Sequence, residues 1–225
     1  MLVALIPAKD EEKNIPKVIL GVKKYIDEVI VIDDGSKDNT KKVAEGLGAY
    51  VIRNETNIGK ADALKIGFKF ILKTDADFIA ILDADGQHDP DELPKLIEKV
   101  KEGYDIVVGA RSFNIKEMPF LRLLSNVFSS ILTSFVCRTK ILDSQSGYRI
   151  IKRHIIEKIV FESKRYQLET EMIVKAARCG FRIGFVNVST IYTPQAKSKI
   201  NQLSDPLKFL IVLFKLSFYR CKKEK

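Results

Sequence analysis

The stretch ILDADGQH, residues 81–88, ends an apolar run with two carboxylates, Asp83 and Asp85, that stand one residue apart. Negative charges at this spacing repel each other, so a buried strand that ends on them needs a compensating positive charge. The run before them, FIAIL at residues 78–82, is short and bounded by polar residues, which is typical of a strand in a parallel sheet. We therefore expect a buried strand and then a turn that carries both acids.

Strand-like and helix-like segments alternate around this stretch. Apolar, β-branched runs recur at 2–6, 29–32, 50–52, 78–82 and 106–108, and segments with one apolar helical face separate them. This alternation predicts an α/β fold with a mostly parallel sheet, flanked by helices, over roughly the first half of the chain. In the second half the pattern predicts helices at 119–136 and 168–178, a Gly-containing turn at 143–149 and a strand at 183–188.

Four polar loops follow successive predicted strands. They are PAKDEEKNI (7–15), DDGSKDNT (33–40), NIGKADALKIG (57–67) and DADGQHDP (83–90). Each loop alone is ordinary turn and helix-cap chemistry, but four such loops on one sheet edge favour a ligand site. A turn at Asp83 lets both acids converge on a hard cation through oxygen, and we expect Mg²⁺ or Mn²⁺ carried with a diphosphate. A solvated turn without an ion is the alternative.

Charge and cysteine content restrict the classes of function. The net charge of +9 is uneven, because residues 1–110 hold 16 Lys and Arg against 21 Asp and Glu (−5) and residues 111–225 hold 22 against 8 (+14). The basic half suits nucleic acid, an anionic membrane or phosphates. Three widely spaced cysteines (Cys137, Cys179 and Cys221) predict neither a disulfide framework nor a metal site, and they favour a reducing compartment. The N-terminus lacks a basic start and a cleavage-like site, which predicts a strand rather than a signal peptide.

Taken in order, the motifs resemble those of glycosyltransferase family 2 enzymes with the GT-A fold. The matching segments are PAKDEEKNI, VIDDGSKDNT, NIGKADALKIG, LDADGQHDP, GAR and DSQSGYR. The similarity is greatest to dolichyl-phosphate mannose synthase and its polyprenyl-phosphate relatives. It implies a GT-A domain over residues 1–204, with a nucleotide and metal half at 1–110 and an acceptor half at 111–204.

The resemblance also implies which residues bind the donor. Asp83, Ala84, Asp85 and Gln87 fall on the DxD motif, so Asp83, Asp85 and Gln87 are expected metal ligands beside the donor diphosphate. The other implied donor-binding residues are Pro7, Lys9, Glu11, Ile32, Asp34, Lys60, Arg111 and Lys199. Lys199 belongs to a donor-side loop that lacks the Arg and Gly of the mannose-synthase version. The resemblance therefore leaves GDP-linked and UDP-linked donors open.

The second half resembles the acceptor side of the same family. The implied acceptor-binding residues are Arg122, Asn126, Asp143, Ser146 and Arg149, and the implied catalytic residues are Asp85, Arg111 and Arg149. A surface ion pair is the alternative for Arg149. Glu169 and Glu171 are expected on a helix that faces this region, where a solvated helical face explains either one almost as well.

The chemistry of sugar transfer favours a phosphate acceptor. An alcohol acceptor needs a carboxylate base, whereas a phosphate is already an anion and needs only positioning and a basic cradle. The −5 and +14 halves fit the second case, with Arg111, Arg122 and Arg149 as the cradle. An apolar helical stripe in the same half fits a polyprenyl tail; its members are Phe120, Leu124, Phe128, Ile131 and Phe135. No protein nucleophile is evident beside the acids, which predicts inversion at the anomeric carbon, and His88 is read mainly as a packing residue.

Other functions fit parts of the pattern. A sugar-phosphate nucleotidyltransferase shares the sheet and the acids but needs a Gly-rich loop where this chain has PAKDEE. A nucleic-acid-binding module could use the basic half, but its aromatic residues follow helical spacing rather than alternating with Lys and Arg, so we expect no nucleic-acid partner. Within the family, a soluble or polysaccharide acceptor is the alternative, although the chain has no Trp to stack on sugars.

The C-terminal segment 205–225 predicts an amphipathic, basic helix. Residues 209–214 are continuously apolar, Lys208 and Lys215 stand seven apart, and a basic tail begins at Arg220. The apolar stretch is too short to span a bilayer. It is typical of a helix that lies in an anionic membrane surface, which predicts a peripheral protein at the cytoplasmic face. A helix packed on the core is the alternative.

Overall fold

The computed structural model describes residues 1–111, 120–164, 167–191 and 204–221, with the backbone alone at 120–122 and 204–207. The strands are β1 (Leu2–Ala8), β2 (Glu28–Asp33), β3 (Tyr50–Arg53), β4 (Phe78–Ile81), β5 (Ile106–Arg111), β6 (Arg149–Lys152) and β7 (Ile183–Val188). The helices are α1 (Ile15–Val22), α2 (Thr40–Gly46), α3 (Lys60–Ile71), α4 (Leu93–Lys101), α5 (Phe120–Cys137), α6 (Arg153–Lys158), α7 (Leu168–Arg178) and α8 (Ser204–Ser217), and a 3₁₀ turn at Pro90–Glu92 precedes α4.

The seven strands form one sheet in the order β3-β2-β1-β4-β6-β5-β7. All pairs are parallel except those of β6, which runs antiparallel to β4 and β5. Because β6 is reversed, its first residue, Arg149, lies in register with Ile81 of β4 and Val108 of β5, near the ends of those strands. We call this side of the sheet, where the parallel strands end and β6 begins, the strand-end edge.

Each face of the sheet buries its own hydrophobic core. Val3 and Leu5 of β1 pack with residues of α3, α6 and α7, whereas Ala4 and Ile6 pack with residues of α1, α2 and α4 on the other face. This alternation follows from the two-residue period of side chains along a strand. The α/β fold with a mostly parallel sheet flanked by helices is thus confirmed.

The predicted sheet was too short in one respect. The prediction placed it over the first half, but β6 and β7 come from the second half, and β6 inserts between β4 and β5. Neither β6 nor the short α6 was predicted, because β6 has only Ile150 and Ile151 between two charged residues. Its burial comes from its two neighbours in the sheet rather than from a long apolar run.

A further layer lies on α7. Helices α5 and α8 both pack against α7, where Leu213 and Leu216 of α8 meet Val174. A disulfide joins Cys179, directly after α7, to Cys221, after α8. The prediction that the cysteines do not pair is therefore wrong, since a separation of 42 residues leaves no local signal, and the inference of a reducing compartment loses that support. No helix within the described ranges is long and apolar enough to cross a membrane.

Candidate active site

The loops after β1 and β2 are tied together at the strand-end edge. The amide of Asp10 donates to Ser36 Oγ at 2.9 Å, and the amide of Lys37 donates to Asp10 Oδ1 at 2.7 Å. The amide of Glu12 donates to Asp38 Oδ2 at 3.1 Å in the same way. The acids of these two loops thus hold backbone amides, which is the usual chemistry of turns.

Asp34, the first residue after β2, holds the loop that leads into α3. Its Oδ1 accepts hydrogen bonds from Ile58 N and Asn54 Nδ2, both at 2.9 Å, and its Oδ2 accepts one from Gly59 N at 2.8 Å. Gly59 has a φ of 96°, a conformation that favours glycine. Asp34 therefore fixes the start of α3, whose first residue is Lys60, and its contact with a nucleotide stays a prediction.

Lys60 joins two carboxylates that are far apart in the sequence. Its Nζ lies 2.6 Å from Asp83 Oδ1 and 2.9 Å from Glu169 Oε1. Glu169, in the first turn of α7, is buried, and its Oε2 has no hydrogen-bond partner among the described residues. Lys60 thus supplies Asp83 with the compensating positive charge that the sequence predicts for the acid pair.

Gly147 allows the loop that contains it to lie directly against the ion pair of Lys60 and Asp83. A Cβ built at Gly147 would lie 2.8 Å from Asp83 Oδ2 and 3.0 Å from Lys60 Nζ. The loop can approach the cluster this closely only because residue 147 has no side chain. Ser146, beside it, is buried, and its amide donates to Asp143 Oδ1 at 3.1 Å.

The two acids of the DxD motif differ in their electrostatics. Burial opposes the charge of Asp83, but Lys60 outweighs this effect and, with His88, holds the pKa of Asp83 far below its usual range. Burial and then the charge of Asp83 raise the pKa of Asp85. Gln87 donates to Asp85 from its amide at 3.0 Å and from its Nε2 at 2.8 Å. No ion pair to Asp85 occurs among the described residues, so Asp85 is the acid that lacks a cation.

His88 is buried behind the acid pair. Its Nε2 lies 3.6 Å from Asp83 Oδ2, and its ring packs on that of Tyr148 with centroids 5.1 Å apart. The Tyr148 hydroxyl donates to the carbonyl of Asp89 at 3.1 Å. This placement agrees with the packing role favoured for His88. The next loop is tied to the acids as well, since the amide of Ile191 donates to the Gln87 carbonyl at 2.9 Å.

Arg111, the last residue of β5, forms a two-pronged ion pair with Asp143. Its Nε lies 2.7 Å from Asp143 Oδ2, and its Nη2 lies 3.0 Å from Asp143 Oδ1. Burial opposes the charge of Asp143, but the hydrogen bond from Arg111 outweighs it, so the pKa of Asp143 is lowered. Asp143 therefore anchors Arg111 at the strand-end edge, next to the loop that carries Ser146.

Arg149 lies at the start of β6 and is fully buried. Its Nη1 donates to the carbonyl of Glu169 at 3.0 Å, and its Nη2 donates to the carbonyl of Ser146. Burial lowers the pKa of Arg149 despite the nearby charges of Glu169 and Asp143. Two described contacts of this guanidinium are thus backbone supports, and its contact with an acceptor phosphate stays a prediction.

Helix α5 turns its polar side towards the site. Ser129 Oγ accepts from Gln145 Nε2 at 3.1 Å, and Ser130 Oγ accepts from the amide of Ser144 at 3.2 Å. Asn126 is buried on the same helix. The expected apolar stripe at Leu124, Phe128, Ile131 and Phe135 instead faces outward and is exposed. Its expected position beside the acceptor site stays a prediction, and the side chain of Phe120, the first member of the stripe, lies outside the described residues.

The remaining predicted residues have different placements. Pro7 and Ala84 are buried, Lys9 is half-buried after β1, and Glu11 Oε2 accepts from Asn14 Nδ2 at 2.8 Å. Ile32 is fully buried in the core, so its side chain is not presented at the strand-end edge. The backbone of Arg122 lies in α5, but its side chain and all of Lys199 lie outside the described residues.

Two parts of the site were not identified from the sequence. The resemblance implies that Lys60 binds the donor but predicts no pairing with Asp83 or Glu169, and it identifies Gly147 only as part of a motif. Ion pairs between distant segments leave no periodic signal. The nearest clue was the need for a cation near Asp83, which Lys60 could have met as the sole basic residue of its strand-end loop NIGKAD, 57–62.

Comparisons with known proteins agree with this geometry. Residues 3–160 match the family described as glycosyl transferase family 2. The UDP-N-acetylglucosamine–dolichyl-phosphate N-acetylglucosaminyltransferase of Methanococcus voltae is 32% identical over an alignment of 224 positions, gaps included, with 88% of this chain and 89% of that protein covered. The polyprenol monophosphomannose synthase of Mycolicibacterium smegmatis is 28% identical over 193 residues, with 80% and 73% covered.

A solved structure shares the fold. Glucosyl-3-phosphoglycerate synthase from Mycobacterium tuberculosis, in complex with Mn²⁺, uridine diphosphate and phosphoglyceric acid, superposes with a TM-score of 0.78 at 21% identity. The match covers 97% of this chain and 78% of that one, and it confirms the GT-A arrangement. Together with the family match over most of the chain, these likenesses show that the chain belongs to glycosyl transferase family 2 and is a nucleotide-sugar-dependent glycosyltransferase.

Proposed function

We propose that this enzyme transfers a sugar from a nucleoside diphosphate donor to a polyprenyl phosphate. The observation that carries the proposal is the strand-end edge itself, where the acids Asp83 and Asp85 lie on the same side of the sheet as the anchored Arg111. The acids suit a metal-bound diphosphate, and the arginine suits a second anion. The printed names of the relatives from Methanococcus voltae and Mycolicibacterium smegmatis, which refer to dolichyl phosphate and polyprenol, support this acceptor.

The acid pair fits a hard divalent cation, Mg²⁺ or Mn²⁺. Asp85 has a raised pKa beside Asp83 and lacks a paired cation within the described residues, and carboxylate oxygens are the ligands that such ions prefer. No three His, Cys, Asp or Glu side chains converge as a metal site in the described part of the chain, so the diphosphate would complete the ligand set. When bound, the ion would neutralise negative charge that develops on the leaving diphosphate. Gln87, which donates to Asp85, would orient this carboxylate.

Several residues of the chain position the groups that would bind the donor. Lys60 forms ion pairs with both Asp83 and Glu169, and it keeps Asp83 ionised, which the binding of a cation requires. Asp34 fixes the loop that delivers Lys60, so the first three strand-end loops form one support for the nucleotide. In this proposal Pro7, Lys9 and Glu11 line the nucleotide site.

The acceptor side needs an anion cradle rather than a base. A polyprenyl phosphate arrives ionised, so Arg111 and Arg122 would orient it for direct displacement at the anomeric carbon with inversion. Asp143 holds Arg111 in place, and Arg149 stabilises the turn at Ser146 by donating a hydrogen bond to the Ser146 carbonyl. The backbone of Arg122 lies in α5, in the same half of the chain, and its substitution tests the cradle at a residue other than the buried Arg149.

A donor and acceptor screen tests the proposed function. Purified enzyme with a divalent ion is incubated with radiolabelled UDP-linked or GDP-linked sugars and with polyprenyl phosphate, dephosphorylated polyprenol or phosphoglyceric acid. We expect label in the polyprenyl phosphate product alone, with the inverted anomer by NMR. The Arg122→Ala variant should weaken acceptor use by about 2 kcal/mol while donor hydrolysis is unchanged. Equal use of polyprenol or of a soluble acceptor, or a retained anomer, would contradict the proposal.

A further inference from the structure

Helix α5 has its polarity inverted relative to an ordinary surface helix. Its small polar residues Asn126, Ser129, Ser130 and Thr133 are buried against the body of the protein. Apart from Ser125, the side chains that it exposes before Arg138 are large and apolar, and Phe135 is 84% exposed. A water-facing helix normally has the opposite arrangement. Such a helix is arranged for surroundings less polar than water.

Helix α8 adds a second apolar strip next to α5. Leu213 and Leu216 are buried against α7, while Leu210, Ile211 and Phe214 are exposed. Phe218, just after α8, is also exposed, and its ring packs edge-on against that of Phe214 with centroids 5.1 Å apart. The exposed side chains of the two helices define what we call the apolar face: Leu124, Phe128, Ile131 and Phe135 of α5 with Leu210, Ile211, Phe214 and Phe218 of the α8 segment. Soluble proteins seldom expose apolar groups in such clusters unless the surface binds something.

A basic cavity lies where the two helices end. It has a volume of about 490 Å³, and Arg138, Arg178 and Arg220 line it together with Tyr219. A neighbouring cavity of about 380 Å³ shares two of these arginines and reaches Phe135. We call the three arginines and the space between them the arginine pocket. The pocket therefore adjoins one end of the apolar face.

The described residues do not neutralise the charge of the arginine pocket. No Asp or Glu forms an ion pair with Arg138, Arg178 or Arg220 among the described residues, and residues 120–138 contain no acidic residue at all. Arg178 is held in position, because its Nε donates to the Tyr219 carbonyl at 2.8 Å. The disulfide between Cys179 and Cys221 fixes the backbone next to both Arg178 and Arg220. Two of the three cations are thus held next to each other without a counterion among the described residues.

We propose that the apolar face and the arginine pocket together dock this enzyme on an anionic phospholipid membrane, with a lipid headgroup phosphate in the pocket. Exposed aromatic and aliphatic side chains enter the boundary between headgroups and acyl chains, and cations beside them bind phosphates at the same depth. A protein partner or a second copy of this chain would have to bring its own anions to the pocket. This inference deepens the proposed function, since it names the surface on which a lipid acceptor would be reached.

Vesicle binding tests the inference without any catalytic step. The full-length enzyme is sedimented with phosphatidylcholine vesicles that contain or lack phosphatidylglycerol, in the absence of nucleotide sugar and of polyprenyl phosphate. We expect binding only to the anionic vesicles, weakened by added salt. The triple variant Arg138→Gln, Arg178→Gln, Arg220→Gln should bind about a hundredfold more weakly, close to a fivefold loss for each arginine at an anionic surface.

Matched controls separate the pocket from overall charge. Lys17, Lys42 and Lys101 are exposed on α1, α2 and α4, across the sheet from α7, and their triple Gln variant loses the same charge. It should bind vesicles nearly as well as the wild type. A second variant, Phe135→Ser with Phe214→Ser, removes exposed apolar groups that pack little in the fold, and it should also lose vesicle binding while keeping its thermal midpoint.

Other results would overturn the inference. Equal loss of binding in both triple variants would show that only overall charge matters. A wild type that is a stable dimer in solution, and that Phe135→Ser with Phe214→Ser makes monomeric, would assign the apolar face to a second copy. Binding of inorganic phosphate without vesicle binding would assign the pocket to a soluble anion. Since the acceptor screen can be run in detergent, failure of vesicle docking and failure of polyprenyl phosphate transfer are separate outcomes.

Discussion

The strand-end edge and the arginine pocket differ in whether their charged side chains form ion pairs within the described residues. At the edge, Asp83 is paired with Lys60, and Asp143 with Arg111. At the pocket, Arg138 and Arg220 have no acidic partner among the described residues, although they lie in the same basic half of the chain. Charges that the fold pairs internally build a site and preorganise it. Surface charges without such a partner remain available to an external anion.

Asp85 is the exception at the strand-end edge, and its removal should have the largest effect. It is the acid of the pair without a cation among the described residues, and its pKa is raised by burial and by Asp83. If a divalent ion is its missing partner, Asp85→Ala should lower transfer and donor hydrolysis by about 10³-fold or more, since such an ion supplies several kcal/mol of charge stabilisation. Excess chelator should have the same effect on the wild type.

A matched acid shows whether the loss is specific to the site. Asp75 is exposed near the start of β4, at the opposite end of that strand from Asp85, and Asp75→Ala should leave turnover unchanged. Normal turnover of Asp85→Ala, or full activity in chelator, would mean that the strand-end edge is completed without a metal.

Lys60→Met should produce the next largest effect, on stability. The change leaves Asp83 and Glu169 facing each other without their shared cation, and about a quarter of the Lys60 and Asp83 side chains is exposed. We expect a loss of about 2–3 kcal/mol in the free energy of unfolding at neutral pH, slightly less than for a fully buried pair. Urea unfolding measures this loss. Lys41→Met, which removes an ion pair between exposed side chains on α2, is the control.

The pH dependence of this loss has a defined sign. Because the folded pKa of Asp83 is depressed, its contribution to wild-type stability is present above the unfolded pKa of about 3.9 and disappears as the pH falls below it. Lys60 has a raised pKa, because the pull of Asp83 and Glu169 exceeds the effect of burial, so its contribution disappears only above about pH 10.4. The deficit of Lys60→Met should therefore persist as the pH is lowered from 7 and shrink only below about pH 4. A deficit that does not change with pH would assign it to packing.

The sequence predicted the elements whose signal is local. Strands such as β4 and helices such as α3 follow from short apolar runs and helical periodicity, and the acids at 83 and 85 follow from the end of a strand. Lys60 with Glu169, Cys179 with Cys221 and β6 between β4 and β5 are all pairings between distant segments. Helical periodicity also predicted the apolar stripe on α5, but it could not predict that the stripe is exposed. The spacing of apolar residues along a helix is the same whether that face packs on a core or faces outward.

Loss of the disulfide should have a smaller effect, at the arginine pocket. The bond closes a loop across 42 residues, and Cys221→Ser should cost about 2 kcal/mol, at the low end for such bonds because α8 stays packed through Leu213 and Leu216. Reduction of the wild type should give the same shift of the thermal midpoint. Cys137→Ala, at the free cysteine that lines the same cavity, is the control, and its thermal midpoint should fall on reduction by the same amount as that of the wild type. An unchanged wild-type midpoint on reduction would contradict a stabilising bond.

Gly147→Ala should have the smallest effect. It tests whether the strand-end edge must hold Asp83 in one position for transfer. The added methyl group would come within 3.0 Å of Lys60 Nζ and closer still to Asp83 Oδ2, so the ion pair has to shift by a few tenths of an ångström. Such a shift misplaces Asp83 without removing its charge, and we expect kcat to fall about tenfold, or about 1.4 kcal/mol, with little change in thermal stability. Gly46→Ala is the matched control, because a Cβ at that helical position meets nothing within 4 Å. If Gly147→Ala turns over as fast as Gly46→Ala, the position of Asp83 tolerates movement, and the ion pair with Lys60 serves stability rather than the geometry of transfer.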